Sequence, residues 1–252
     1  MPMPPRVRDI DFGKAFADAG ALWRAERELL VPIAGVFFFV PLLGMVMLLA
    51  ASGIKASESD PQAMWAAMNA LAKSALVPMV LFNIVTSFGS FAILNLFLQG
   101  AGRTLGEVLQ FAFRRFLPFL GMDLVLGIAF NIGFFSLLIV PGLFLLCRTW
   151  LAAPAYSAAP ERGLIGALQQ GWSLSGRWNW LIVLLAVAAV FVGTIAIATI
   201  TAILLGVLSV IGREAATVAT IFVAVLLTTA AWLALTLLRV ALYRASIPKQ
   251  GM

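Results

Sequence analysis

Polar residues along this chain retreat into short clusters and leave six continuous apolar runs: Leu29 to Ala51, Ser74 to Leu98, Leu117 to Val140, Pro141 to Ala158, Trp180 to Leu205 and Ala215 to Ala241. Runs of about 20 residues cross a hydrocarbon core of about 30 Å as helices. These runs are apolar throughout rather than alternating, and they are too long for tilted strands, so a β-barrel is excluded. The pattern predicts an all-α, polytopic integral membrane protein with six transmembrane helices, the fourth being the shortest.

Three segments between the runs carry a helical period with mixed charge. Asp11 to Glu28 puts Phe12, Phe16, Ala19 and Trp23 on one side, with Lys14, Asp18, Arg24 and Glu28 largely elsewhere. Thr104 to Phe116 has apolar Leu105, Val108, Leu109 and Phe116 beside polar Glu107, Gln110, Arg114 and Arg115, and Gly163 to Ser175 has Leu164, Ala167, Leu168 and Trp172 beside Gln169 and Gln170. Such segments are expected as interfacial amphipathic helices on the cytoplasmic side. Thr104 and Glu107 form the T-x-x-E pattern of a capping box, which predicts a helix start there. The chain then divides, within a single integral membrane domain, into three units of interfacial helix plus hairpin, residues 9–99, 103–159 and 161–252. Insertion physics alone would produce the same periodicity. A stretch of about 22 residues from Ser52 to Lys73 is the only long polar segment expected outside, with Pro61 opening a short helix.

Composition agrees with the bilayer reading: 62% of the 252 residues are hydrophobic, 11% are charged, and the mean hydropathy is +1.03. Charge sets the expected orientation. With the N-terminus inside, thirteen of the 17 basic residues (Arg6, Arg8, Lys14, Arg24, Arg27, Arg103, Arg114, Arg115, Arg162, Arg177, Arg239, Arg244 and Lys249) lie in cytoplasmic segments, against three outside (Lys55, Lys73 and Arg213). This asymmetry predicts both termini in the cytoplasm and a multi-pass protein of the cytoplasmic (inner) membrane. The net charge of +6 is thus a topology signal rather than a nucleic-acid footprint. Membrane lipids, anionic ones first, are the expected partners, with a membrane-protein partner or a second copy as the other possibility. Trp23, Arg114, Arg115, Trp172, Arg177, Trp178 and Trp180 are the candidate membrane-interface residues. No apolar core precedes residue 29, so the opening residues do not read as a cleavable signal peptide and the first span is expected as an uncleaved anchor.

The absence of histidine and the single cysteine, Cys147, change the picture of candidate chemistry. They starve haem, zinc, iron–sulfur, disulfide and Ser-His-Asp readings of residues, so no metal, no cofactor and no enzymatic activity are expected. Cys147 reads as a packing residue. Arg148 lies inside the fourth run, where an unpaired charge costs about 2.5–3.5 kcal/mol on insertion scales, so it needs a partner, water or lipid. If spans three and four form a hairpin turning at Val140 and Pro141, Arg148 pairs in depth with Gly133, near Asn131, and lies about 15 Å in axial height from Asp123. Arg148, Asp123, Asn131 and Tyr156 are the candidate ligand-binding residues, Arg148 for an anionic headgroup. Asp123, Gly127 and Asn131 form one stripe, Asn83, Ser87 and Ser90 a second, and Thr194, Ala198 and Thr201 a third. Close interhelical packing accounts for such stripes, and structural hydrogen bonding is the competing account of Arg148 and Asp123.

Residues 141–180 carry Pro141 and Gly142, Arg148 with Trp150, Pro154, Glu161 with Gly163, Ala167 with Leu168, Trp172 with Leu174, and Gly176, Arg177 and Trp178. This pattern resembles the membrane domain found on some bacterial glycerophosphodiester phosphodiesterases and in stand-alone six-span relatives. Gly171 departs from it, standing where that pattern has Ser. The resemblance implies a fold more than an activity, because the phosphodiesterase chemistry of the fused enzymes belongs to a separate soluble domain with acid/base histidines. The expected function is therefore non-enzymatic lipid or amphiphile binding and handling. The alternatives are a scaffold or assembly subunit of a larger membrane complex, and a secondary transporter using Arg148 and Asp123.

Overall fold

The computed structural model describes residues 10–51, 61–99, 104–136, 139–176, 178–208 and 213–247. Its regular structure among these residues is helical: α1 (Phe12–Ala34), a π-helical turn (Gly35–Phe39), α2 (Val40–Ala51), α3 (Pro61–Leu98), α4 (Leu105–Ser136), α5 (Ile139–Thr149), α6 (Ala152–Ala158), a 3₁₀ turn (Pro160–Arg162), α7 (Gly163–Leu174), α8 (Asn179–Leu208) and α9 (Arg213–Ser246). Four stretches are long and apolar enough to cross a membrane, namely Phe12–Leu49, Ala75–Leu98, Asn179–Ile203 and Ala216–Ser246. The shortest of them, 24 residues, extends about 36 Å at helical rise. The third expected run lies in α4 as far as Ser136 and its last two residues open α5, and the fourth is divided between α5 and α6.

One of the three expected surface helices is corrected: Thr104–Phe116 is continuous with the apolar helix that follows it. In α1 two helical segments meet at a kink at Glu26, whose φ of −127° and ψ of 25° leave the helical region, two residues before the expected end of the first segment. The face that α1 buries is also rotated from the expected one. Ala15 is buried and Phe16, Ala19 and Leu22 pack beside it, whereas Phe12 and Trp23 are 40% and 37% exposed. Gly163–Ser175 does form a helix of its own, α7. Both expected starts are capped: Asp11 accepts from the Lys14 N–H at 3.0 Å, and the Thr104 N–H donates to Glu107 Oε2 at 2.9 Å while the Glu107 N–H donates to Thr104 Oγ1 at 3.4 Å.

The break in the fourth run has a local cause. Pro154 lacks an N–H and its ring crowds the carbonyl four residues earlier, at Trp150, so the helix stops at Thr149 and restarts at Ala152. The short α6 is buried along nearly its whole length. Gly163, at φ 69°, turns the chain from the 3₁₀ segment into α7, a conformation that suits glycine.

One end of the bundle is tightly cross-linked. Gln99 donates to the Ser157 carbonyl, Arg244 to the Phe97 carbonyl at 2.5 Å, and Gln170 to Tyr243 Oη at 3.3 Å, while the Ile10 N–H reaches Asn179 Oδ1 at 3.4 Å. These contacts gather the starts of α1 and α8, the ends of α3, α6 and α9, and α7. An aromatic stack of Phe91, Phe119 and Tyr156, with Phe91 and Phe119 centroids 4.3 Å apart, fills this end. Away from it, the outward faces carry large apolar side chains such as Ile128 and Val192, exposed as hydrocarbon would solvate them and water would not.

Candidate functional site

Five elements, α3, α4, α5, α8 and α9, pack in a ring, each against the next. The ring encloses a cavity of about 930 Å³, near the top of the range for small-molecule sites. Its lining runs from Arg239, Phe119 and Trp150 at the cross-linked end to Phe130, Thr194 and Thr228 towards the other. Arg239 and Thr228 are eleven residues apart on α9, about 16 Å of depth. The α6 segment and the aromatic stack lie beneath.

The walls are less polar than their composition suggests. Thr86, Thr194, Thr228 and Thr236 each turn their hydroxyl back to a carbonyl of their own helix, at 2.7–2.9 Å, so their donors are spent. Ser87 donates to Asp123 Oδ2 at 2.5 Å, a short bond of the kind a carboxylate accepts. What remains for an occupant is Arg239, Asp123 Oδ1, the neutral Asn83 and Ser90, and the Trp150 Nε1–H, which has no acceptor among the described residues. The stripe Asn83, Ser87, Ser90 on α3 lines a cavity where close packing was expected.

Arg239 is the residue that the sequence reading missed. Its guanidinium lies 3.8 Å from the centroid of the Trp150 ring, a cation–π contact that the α5–α6 break makes available by turning Trp150 inward. Among the described residues the Arg239 N–H groups have no hydrogen-bond acceptor, and guanidinium offers five donors. Seven residues from the end of α9, it had counted only as one of the thirteen topology residues.

The four candidates from sequence are not brought together. Asp123 lines the cavity. Arg148 does not: Nη1 donates to the Ser175 carbonyl at the C-terminus of α7, at 2.8 Å, and the guanidinium lies 4.5 Å from the Trp172 centroid and 5.8 Å from that of Phe144. It also stands in the last turn of α5, so it faces the carbonyl ends of two helices, where a cation is stabilised. Tyr156 is buried in the aromatic stack beneath the cavity. The Asn131 side chain lies outside the described residues, as does Arg177. Cys147 is buried and unpaired by any disulfide. Of the interface residues, Trp178 is 71% exposed, Arg114 and Arg115 are exposed, and Trp180 packs edge-on against Phe144. No group of three or more potential metal ligands occurs among the described residues.

Gly171 has a steric reason for its identity. A Cβ there would lie 2.5 Å from the Ala152 nitrogen and 2.7 Å from its Cα, so α7 meets the start of α6 backbone to backbone and a serine has no room.

No protein-family model matches this chain, and no curated protein or solved structure does either. The functional reading therefore rests on the cavity itself.

Proposed function

We propose that this chain is a non-enzymatic, six-span protein of the cytoplasmic membrane, with both termini inside, that binds an amphiphile within the bilayer. One observation carries the reading: a cavity of about 930 Å³ with apolar walls whose threonine donors are spent, and with a cation and a carboxylate near its packed end. Such a lining matches a molecule with a hydrocarbon portion and one compact polar group. With the basic excess facing the cytoplasm, the packed end lies on that side and the cavity opens towards the outer half of the bilayer.

The test fills the cavity without touching its charges. Ala188→Trp and Ala231→Trp place bulk on two lining positions of α8 and α9. Mass spectrometry of the protein purified in mild detergent is expected to find a co-purifying amphiphile on the wild type, and its loss from folded, monodisperse filled variants. Retention at the wild-type level by both variants would rule the cavity out as its site.

A second reading, movement of the ligand across or out of the membrane, is favoured by the break at Trp150–Leu151, since discontinuous helices beside a cavity are common in transporters. Uptake into proteoliposomes that Asp123→Asn leaves unchanged would count against it.

A further inference from the structure

The two charges at the cavity do more than make one end polar. Asp123 and Arg239 sit on facing helices, α4 and α9, and both line the same space. Arg239 is fixed from one side by the Trp150 ring, which leaves its N–H edges for other partners. Asp123 is fixed by Ser87 at Oδ2, which leaves Oδ1 for a donor. The cavity thus presents an anion receptor and a donor receptor at once, with the neutral Ser90 and Asn83 on the wall that α3 contributes.

In a low-dielectric space these two receptors are selective. An amphiphile with a purely anionic head satisfies Arg239 but is repelled by Asp123, and a purely cationic head has the reverse fault. An uncharged head leaves the guanidinium with no anionic partner besides Asp123. A head that carries an anion and, a few atoms away, an ammonium or hydroxyl donor satisfies both without adding net charge to the site.

We infer that the cavity takes a zwitterionic amphiphile, its phosphate or carboxylate on Arg239 and its ammonium on Asp123, with its hydrocarbon along α8 and α9. This rests on the amphiphile-binding reading above. It adds a headgroup class that the reading does not require. Each receptor is held by a neighbour, Arg239 by the Trp150 ring and Asp123 by Ser87.

The test uses the full chain in nanodiscs of equimolar phosphoethanolamine- and phosphoglycerol-headed lipids with identical tails, followed by gentle release and mass spectrometry of the lipid that stays bound. Wild type is expected to retain the zwitterionic lipid over the anionic one by about tenfold, the scale of one charge-assisted hydrogen bond. Asp123→Asn removes the repulsion and is expected to invert the preference towards the anionic lipid. Arg239→Gln is expected to abolish discrimination, and Arg148→Met, outside the cavity, to preserve it. Thermal unfolding monitors folding of each variant, and if Arg239→Gln does not fold, the Asp123→Asn inversion alone decides. Equal retention of both lipids by wild type and Asp123→Asn, with displacement of both by Ala231→Trp, would overturn the zwitterion proposal and leave the cavity reading intact. Retention that ignores Ala231→Trp would overturn both.

Discussion

Two arginines lie within the bundle beside tryptophans, and they are in opposite states. Arg148 is packed into the fold: Nη1 caps α7 at the Ser175 carbonyl and the guanidinium lies over Trp172, in a region where helices meet so closely that Gly171 cannot bear a Cβ, while its Nε is buried without an acceptor among the described residues. Arg239 lies on Trp150 with its donors directed to no protein acceptor among the described residues, beside about 930 Å³ of open space. Both make cation–π contacts, so stacking on tryptophan does not distinguish a structural arginine from a functional one. The distinction is what lies beside the remaining donors: packed side chains and backbone at Arg148, an open cavity at Arg239.

The contrast can be broken in order of expected size. Gly171→Leu forces bulk against the backbone of Ala152 and is expected to cost about 3 kcal/mol or to prevent folding, as read by thermal unfolding in detergent. A wild-type melting temperature for that variant would show that the junction yields. Arg148→Met removes a charge-assisted hydrogen bond and a stacked cation, for an expected loss of about 2 kcal/mol, with bound amphiphile unchanged. Arg239→Met is expected to do the reverse, changing stability by less than about 1 kcal/mol while lowering amphiphile retention. If the two variants exchanged phenotypes, the roles assigned to the two arginines would be wrong. Ser87→Ala removes the donor to Asp123 Oδ2 and is expected to cost about 1 kcal/mol, seen as a small fall in melting temperature. Thr104→Ala, which opens the capping box far from either arginine, is the smallest, at about 0.5–1 kcal/mol.

Much of the fold could be read from the chain because bilayer helices leave a coarse mark: long apolar runs, a capping box at Thr104 and Glu107, and polar stripes at fixed helical spacing. What failed was continuity. Amphipathic pattern before Leu29 and before Leu117 reads as separate helices, yet only the first junction is marked, by the kink at Glu26, and α4 runs through. The fourth run failed in the opposite sense. Pro154 breaks it at Trp150, so Arg148 stands in the last turn of a short helix, where Nη1 meets the carbonyl end of α7.

The candidate site was half legible. Asp123, Ser87, Asn83 and Thr194 stood out as polar residues in apolar helices, but whether a stripe packs or lines a space depends on helix separation, which spacing along one helix does not encode. Arg239 was hidden by its position near a helix end, where positive charge has a sufficient explanation in topology. The signal available was its company. In LALTLLRVALYRAS, Arg239 is followed by Arg244, and only the second stands in the last turn of α9. An arginine a further turn and a half inside needs a partner within the bundle.

The central claim is that Arg239, not Arg148, meets the polar group of a bound amphiphile. A high-resolution density map of the protein extracted with native lipid tests it most directly. The account predicts elongated density between α8 and α9 with its polar end within hydrogen-bonding distance of Arg239 and Asp123, and none on Arg148 beyond Ser175. A cavity collapsed on its own side chains, or a lipid headgroup seated on Arg148, would contradict it.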